Sequence, residues 1–294
     1  MYDLHCHLLP GVDDGADSME SALALVRAAI ADGTTHAILT PHIHPGRYDN
    51  SLSQLLPVFQ QFRAMVGEMP GEITPAISAA AQAPAQQADE KADEKADEQA
   101  DEQANEPRAQ AQQAGAGLQL ALGAEVRLSD DLPALLEQGE IPFIGEWHGD
   151  PVLLLELPHS HIPPGSEHLL KWLGQRGVRT LIAHPERNRD VLRDLKRLRP
   201  LVQAGCLLQV TASAVAGDFG RGAQTRAHQL LKQNLVTVLA SDAHHLRRRP
   251  PGLSRGRAAA AKVIGESRAR ELVLDNPRRL SQSRFVTSGL ESPV

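Results

Sequence analysis

The chain has 294 residues, of which 41% are hydrophobic and only 3% aromatic, enough for one large α/β domain cored by Leu, Val, Ile and Ala. No apolar run nears the roughly 18 residues of a membrane span, and two cysteines make no disulfide framework, so a reducing cytoplasm is the expected setting. The net charge of −6 comes from residues 76–117, with nine acidic and three basic side chains; the remainder balances at 27 of each, which excludes a wide basic nucleic-acid face.

The first residues enter a strand with no basic or apolar leader pattern, so no signal peptide is expected. In Tyr2-Asp-Leu-His-Cys-His7 the imidazoles of His5 and His7 share one face and Cys6 takes the other, because strand side chains alternate. A Pro10-Gly11 turn then returns Asp13 and Asp14 over the strand end. Asp17-Ser-Met-Glu20 has capping-box spacing and opens a helix that Gly33 stops. A strand over 36–40 runs into Pro41-His42, and a helix is expected over 55–66 with Pro57 near its first turn.

From about 74 to 116 the composition turns to Ala, Gln and charge, with the repeat Ala-Asp-Glu-Lys/Gln running four times from Ala88 to Gln103. Like charges at i,i+4 and no apolar stripe mark a solvated insert. One domain over 1–280, interrupted by 76–117 and followed by a tail over 281–294, is the expected organisation, because strand–helix alternation resumes afterwards. Strands are expected at 118–125, 151–158, 180–187, 206–210 and 236–244. Helices are expected at 130–138, 165–174, 190–202 and 223–233. Short buried strands alternating with helices imply a parallel sheet, and about seven of them suggest a closed or nearly closed β/α barrel.

Most strands end in a metal-ligating residue: His5 and His7, His42, Glu125, Glu156, His184, and Asp242 with His244. In a β/α barrel those ends converge on one rim. Burying so many polar groups without partners would be very costly, so a multinuclear metal site is expected. Imidazole and carboxylate donors without thiolate favour Mn²⁺, Fe, Co²⁺ or Zn²⁺ in a hydrolytic site. Neither cysteine begins a Cys-x5-Arg phosphate loop, since Val12 and Ala212 stand at the sixth place, so the expected nucleophile is a metal-activated water. Arg47, Arg187 and Arg249 follow ligands closely, and planar guanidiniums suit a phosphoryl substrate.

The blocks His-Cys-His-Leu-Leu-Pro-Gly-Val-Asp-Asp-Gly-Ala16, Thr-Pro-His42, Gly-Ala-Glu125-Val-Arg, Leu-Glu156-Leu-Pro, Ile-Ala-His184-Pro-Glu-Arg-Asn188 and Ala-Ser-Asp242-Ala-His244 resemble the PHP-type phosphoesterases. Within these, they look like the manganese-dependent tyrosine-protein phosphatases of bacterial capsule and exopolysaccharide loci. The resemblance runs from Met1 to about Leu280 and does not extend to the acidic insert. It implies a distorted (β/α)7, TIM-like barrel with three Mn²⁺ ions. Carried over, His5, His7, Glu125 and Asp242 hold one metal. Glu125 bridges to a second with Glu156 and His184, and Asp14, His42 and His244 hold the third. Asp13 becomes a turn or supporting residue, and Arg187 and Arg249 bind phosphate with help from Arg47. The implied substrate is the phosphotyrosine tail of a membrane-bound polysaccharide autokinase, with the phosphatase itself cytoplasmic. Small phosphate monoesters such as histidinol phosphate or nucleotides are the alternative substrates. A metal-dependent amidohydrolase usually wants a lysine bridge where Glu125 stands, and a non-enzymatic metal-stabilised scaffold would need no turnover. Departures from the family pattern are His245, where Asn is usual, and a looser loop over 210–220.

Overall fold

A computed structural model describes residues 1–69 and 117–285. The acidic insert, apart from its last glycine, and residues 286–294 of the expected tail lie outside the described residues.

The strands form a parallel series. β1 (Tyr2–Cys6) pairs with β2 (His36–Leu39), and β2 with β4 (Gln119–Leu122). After short breaks these continue as β3 (His42–Ile43) and β5 (Glu125–Arg127), which pair with each other. The order then runs from β5 to β7 (Asp150–Glu156), β8 (Arg179–Ile182), β9 (Leu207–Thr211) and β10 (Val238–Ala240). A short β6 (Glu146–Trp147) folds antiparallel onto the start of β7. The sheet curls enough for its ends to approach. The Asp242 N–H donates to the His5 carbonyl and the His7 N–H to the Ala243 carbonyl, both at 2.8 Å.

Beside short 3-10 turns at Pro185–Arg187 and Leu195–Leu198, eleven α-helices stand among the described residues. They are α1 (Met19–Ala31), α2 (Leu52–Gly67), α3 (Leu132–Glu137), α4 (Ser166–Gln175), α5 (Arg189–Arg193), α6 (Arg199–Gln203), α7 (Ala212–Ala216), α8 (Gly220–Lys232), α9 (Leu253–Ile264), α10 (Glu266–Val273) and α11 (Asp275–Phe285). None is long and apolar enough to cross a membrane. Buried aliphatics from six strands, Leu4, Ile38, Ala121, Leu154, Leu181 and Val238, pack with Leu280 of α11 in one core. Each contributes about 1.5–3 kcal/mol relative to an exposed side chain, somewhat less for alanine. The last helix runs past the expected boundary at 280, and the Phe285 ring meets Tyr2 at 6.2 Å and His36 at 4.9 Å.

Several local expectations are corrected. The capping box of α1 is Ser18 with Ser21, one residue later than predicted, because Asp17 accepts from both hydroxyls and leaves Ser18 as the extended cap. Helix α2 begins three residues early, which places Pro57 beyond its first turn. Its first donors are met from elsewhere: the Leu52 N–H by the Glu140 carbonyl and the Ser53 N–H by the Glu140 carboxylate. The single helix expected over 190–202 is three short pieces. Asp194 is extended at φ −146° and its carboxylate caps the Lys196 N–H, restarting the turn. The strand expected over 118–125 is interrupted at Gly123, where a Cβ would lie 2.8 Å from both Ile144 and Ile38 side chains.

Candidate metal centre

The nine residues singled out as ligands come together at the C-terminal ends of the strands. Their donor atoms fall into four overlapping groups: His7, Asp14, His42 and His244; His5, Glu125 and His184; His5, His7 and Asp242; and His42, Glu125 and Glu156, with atoms in each group within 4.8 Å of one another. Glu125 is the hub. Its Oε2 lies 3.2 Å from His5 Nε2, 3.3 Å from His7 Nε2 and 3.1 Å from His42 Nδ1, and its Oε1 lies 2.7 Å from His184 Nε2.

Local backbone explains how the side chains arrive there. The β1–β2 register shifts between Asp3 and Cys6, so a bulge re-aims the strand at His5. His184 at φ 32° and Asp242 at φ 53° occupy the left-handed region, which costs a non-glycine residue about 1–3 kcal/mol and concentrates at functional sites. Gly15 lets the 10–16 loop fold down onto His7. In that loop the two aspartates separate in role. Asp13 accepts from His7 Nδ1 at 2.7 Å and from the backbone N–H groups of His42 and Gly15, whereas Asp14 reaches over His42 Nε2 at 3.3 Å and His244 Nε2 at 3.6 Å.

The electrostatics follow from packing imidazoles around buried carboxylates. Burial alone would raise the Glu125 pKa, but His5, His42 and His184 hold it well below the usual carboxylate range. Asp242 is likewise held low against its burial, by Arg187, His5 and Arg249. Glu156 moves up, through burial and the neighbouring Glu125 charge. Burial would lower His7, yet Asp13 and Glu125 raise it to about 10. Burial and Arg187 push His184 down to about 3, while burial and His7 push His244 to about 4.

The donor set fits divalent cations. His5 and His7 each use Nδ1 toward an oxygen acceptor, Gln209 Oε1 and Asp13 Oδ2, so in the neutral rings both Nε2 atoms carry lone pairs. Those two nitrogens nevertheless face each other at 3.1 Å, a spacing that suits two bonds of about 2.1 Å to one ion. His42 Nδ1, Asp242 Oδ1 and His244 Nε2 are buried without a hydrogen bond of good geometry. Atoms that converge without bonding one another are aimed at something between them, and oxygen with imidazole nitrogen suits hard to borderline metals.

Seven of the nine candidate ligands, all but His5 and His7, line a cavity of about 290 Å³ together with Arg47, Arg187 and Arg249. Arg187 Nη2 reaches Asp242 Oδ2 at 2.5 Å, Arg249 pairs with the same oxygen, and the Arg187 guanidinium lies 4.9 Å over Phe219. Arg47 is exposed, its guanidinium 5.0 Å from the Tyr48 ring, which itself stacks on His42 at 5.5 Å. Arg127, His44, Tyr48 and His159 also line the cavity and were not singled out from the sequence. Arg127 was legible: it stands two residues after Glu125 on one strand face and pairs with Glu156 at 3.0 Å. His159 sits 3.5 Å from Glu156 but belongs to a loop, where no periodicity marks it.

A curled parallel α/β sheet carrying such a donor set at its strand ends defines a TIM-like hydrolase of the metal-dependent class. Within that class, the chain belongs to the capsular polysaccharide synthesis CpsB/CapC family, whose model matches residues 1–76 and 74–282. It is 29% identical over 250 residues to the putative tyrosine-protein phosphatase CapC of Staphylococcus aureus, covering 85% of this chain and 79% of that one. It is 27% identical to the tyrosine-protein phosphatase YwqE of Bacillus subtilis with the same coverage. Against the tyrosine-protein phosphatase CpsB of Streptococcus pneumoniae it is 26% identical, over 97% of this chain and all of that one. A solved structure among those of YwqE and CpsB, described as unique metal-dependent tyrosine phosphatases, superposes with a TM-score of 0.74 at 24% identity, covering 100% of this chain and 99% of that one, which shows a shared fold.

Proposed function

We propose that this protein hydrolyses phosphotyrosine in a protein substrate, the tail of a membrane-bound autokinase that regulates capsular or exopolysaccharide synthesis, from the cytoplasmic side. The reading rests on one observation above all. Glu125 gathers three imidazole nitrogens within 3.1–3.3 Å of one oxygen, and two arginines converge on the adjoining Asp242 in the same cavity. The family membership and the tyrosine-protein phosphatase names of the relatives support the substrate class.

In this reading His5, His7, Asp14, His42, Glu125, Glu156, His184, Asp242 and His244 hold Mn²⁺, in three ions. When bound, the metal supplies Lewis acidity toward phosphate oxygens and a nucleophilic water at neutral pH. The protein's own groups do the rest. Arg187 and Arg249 present N–H donors to the equatorial oxygens, where charge spreads in phosphoryl transfer, and Arg47 and Arg127 add positive charge around the cavity. Asp242 holds both guanidiniums in place before substrate arrives, which removes the cost of ordering them later. Tyrosinate, with a parent pKa of about 10, leaves with less proton assistance than an alkoxide. A site rich in arginine suits that leaving group.

Taking β2 with β3 and β4 with β5 as single interrupted strands, the pairings support a distorted (β/α)7 barrel, closed where β1 meets the residues after β10. We assign residues 1–280, with the end of α11 to Phe285, to that one domain and 76–117 to an insertion within it.

Turnover of a phosphotyrosine peptide, a phosphoserine peptide and a small phosphate monoester after chelation and Mn²⁺ addition tests the function. Mn²⁺-restored activity favouring phosphotyrosine is the expected result. Activity on the small monoester with none on the phosphotyrosine peptide would replace the reading with a small-molecule phosphoesterase.

A further inference from the structure

Six of the seven places around the curled sheet deliver a candidate ligand, and β9 delivers none. What β9 places there instead is Gln209, fully buried. Its Oε1 accepts from the backbone N–H of His184 at 3.2 Å and lies 3.0 Å from His5 Nδ1.

The orientation of this amide follows from its partners. A backbone N–H can only donate, so the Gln209 atom facing His184 must be the oxygen. That same oxygen faces His5 Nδ1, and an amide oxygen accepts only, so His5 Nδ1 must carry the proton. In the neutral ring that a metal requires, His5 Nε2 is then the bare nitrogen, and it is the atom that faces His7 Nε2 at 3.1 Å and Glu125 at 3.2 Å. One backbone amide just after β8 therefore decides, through a side chain on β9, which nitrogen β1 offers to the site. The same contact satisfies the N–H of His184 at φ 32°. The rings of His5 and His184 stand 5.6 Å apart, so Gln209 spaces two candidate ligands of the Glu125 hub.

We infer that Gln209 is a positioning residue of the metal centre, locking His5 as an Nε2 ligand while it holds the His184 turn. This rests on the metal-site reading above and is independent of the substrate. It also sets an asymmetry. His7 is oriented by the carboxylate of Asp13 and His5 by a neutral amide, so His5 is the less basic ligand of the pair.

The test uses the full chain and two substitutions. Gln209→Met keeps length and volume but replaces the amide oxygen with a weakly accepting thioether, and Gln209→Glu keeps an oxygen in the same place. Zn²⁺ and Mn²⁺ affinities are measured by chelator competition, and the His5 tautomer by long-range ¹H–¹⁵N correlation on the Zn²⁺-loaded wild type. We expect the wild-type His5 proton on Nδ1, a loss of about 10–100-fold in metal affinity in Gln209→Met, and recovery to near wild type in Gln209→Glu. A wild-type His5 proton on Nε2 overturns the inference even if Gln209→Met does not fold. So does Gln209→Met binding as tightly as wild type, or Gln209→Glu binding as weakly as Gln209→Met. Failure of phosphotyrosine turnover alone would sink the proposed substrate and leave these readouts standing.

Discussion

Gly15 lies so close to His7 that a Cβ built on it would stand 2.2 Å from the His7 carbonyl oxygen and 2.6 Å from the His7 Cβ. The neighbouring Ala16 N–H donates to that same carbonyl, and the Gly11 N–H closes the loop onto Ala16. The loop bearing Asp13 and Asp14 is thus pressed against the strand bearing His7, with space for a hydrogen atom only.

Gly15→Ala should therefore push the loop away from β1. Overpacking of this kind costs about 1–3 kcal/mol, and here the obstructing atoms are mostly backbone, so the upper part of that range is expected. Urea unfolding measures the stability loss. Metal titration of the folded fraction should also show weakened binding, because Asp13 would lose its hold on His7 and Asp14 its place above His42. Unchanged stability and metal binding would mean that the loop accommodates a methyl group.

Arg187 and Arg249 share one oxygen of Asp242, and the half-buried Arg187 guanidinium lies against the Phe219 ring. A lysine keeps the charge and loses the planar fork. Arg187→Lys is expected to lower kcat/KM for a phosphotyrosine peptide by about 10²-fold, the scale of losing one preorganised donor to developing charge. Steady-state kinetics at saturating Mn²⁺ measures it. A drop below threefold would remove Arg187 from phosphate binding.

His36 gives a pH dependence remote from the candidate ligands. Burial, the positive N-terminus and Arg278 push its pKa from 6.5 to about 4, while its ring stacks on Tyr2 at 4.1 Å. Between these two values the unfolded chain binds a proton that the fold refuses. Stability from this group is thus fully present above pH 6.5 and is lost as pH falls toward 4. His184 and His244 shift the same way, so the test is a comparison. His36→Phe should gain on wild type in thermal stability as pH falls from 7 to about 4.5. Calorimetry of both proteins across that range decides it, and a constant difference would contradict the assignment.

The parts of the fold that were legible depended on short-range rules. Two-residue alternation predicts His5 and His7 on one face, which the β1 bulge between Asp3 and Cys6 adjusts, and the same rule sets Arg127 on one strand face with Glu125. Helix α1 follows from its cap signal and its Gly33 stop, although the cap moves by one because Asp17 accepts from the Ser18 and Ser21 hydroxyls and leaves Ser18 to cap. The early start of α2 was hidden, since the groups satisfying Leu52 and Ser53 belong to Glu140, far along the chain. The break of the 190–202 helix was written locally in Asp194 and Pro200, yet charge and apolar content masked it.

The chemistry of the candidate donors is readable from the residues alone: imidazoles and carboxylates at strand ends, arginines beside them, and no cysteine in a phosphate-loop pattern. Those are properties of residue type and of the two-residue period, which any strand obeys. What each candidate donor contacts depends on the packing of the strands. Asp13 and Asp14 are adjacent and chemically alike, and they part because one meets His7 Nδ1 and the other meets His42 and His244. Gln209 looks like an ordinary strand residue until the curl of the sheet brings it between His5 and the His184 backbone. Hydrogen-bond direction depends on partners brought together across the sheet, and local spacing carries no record of them.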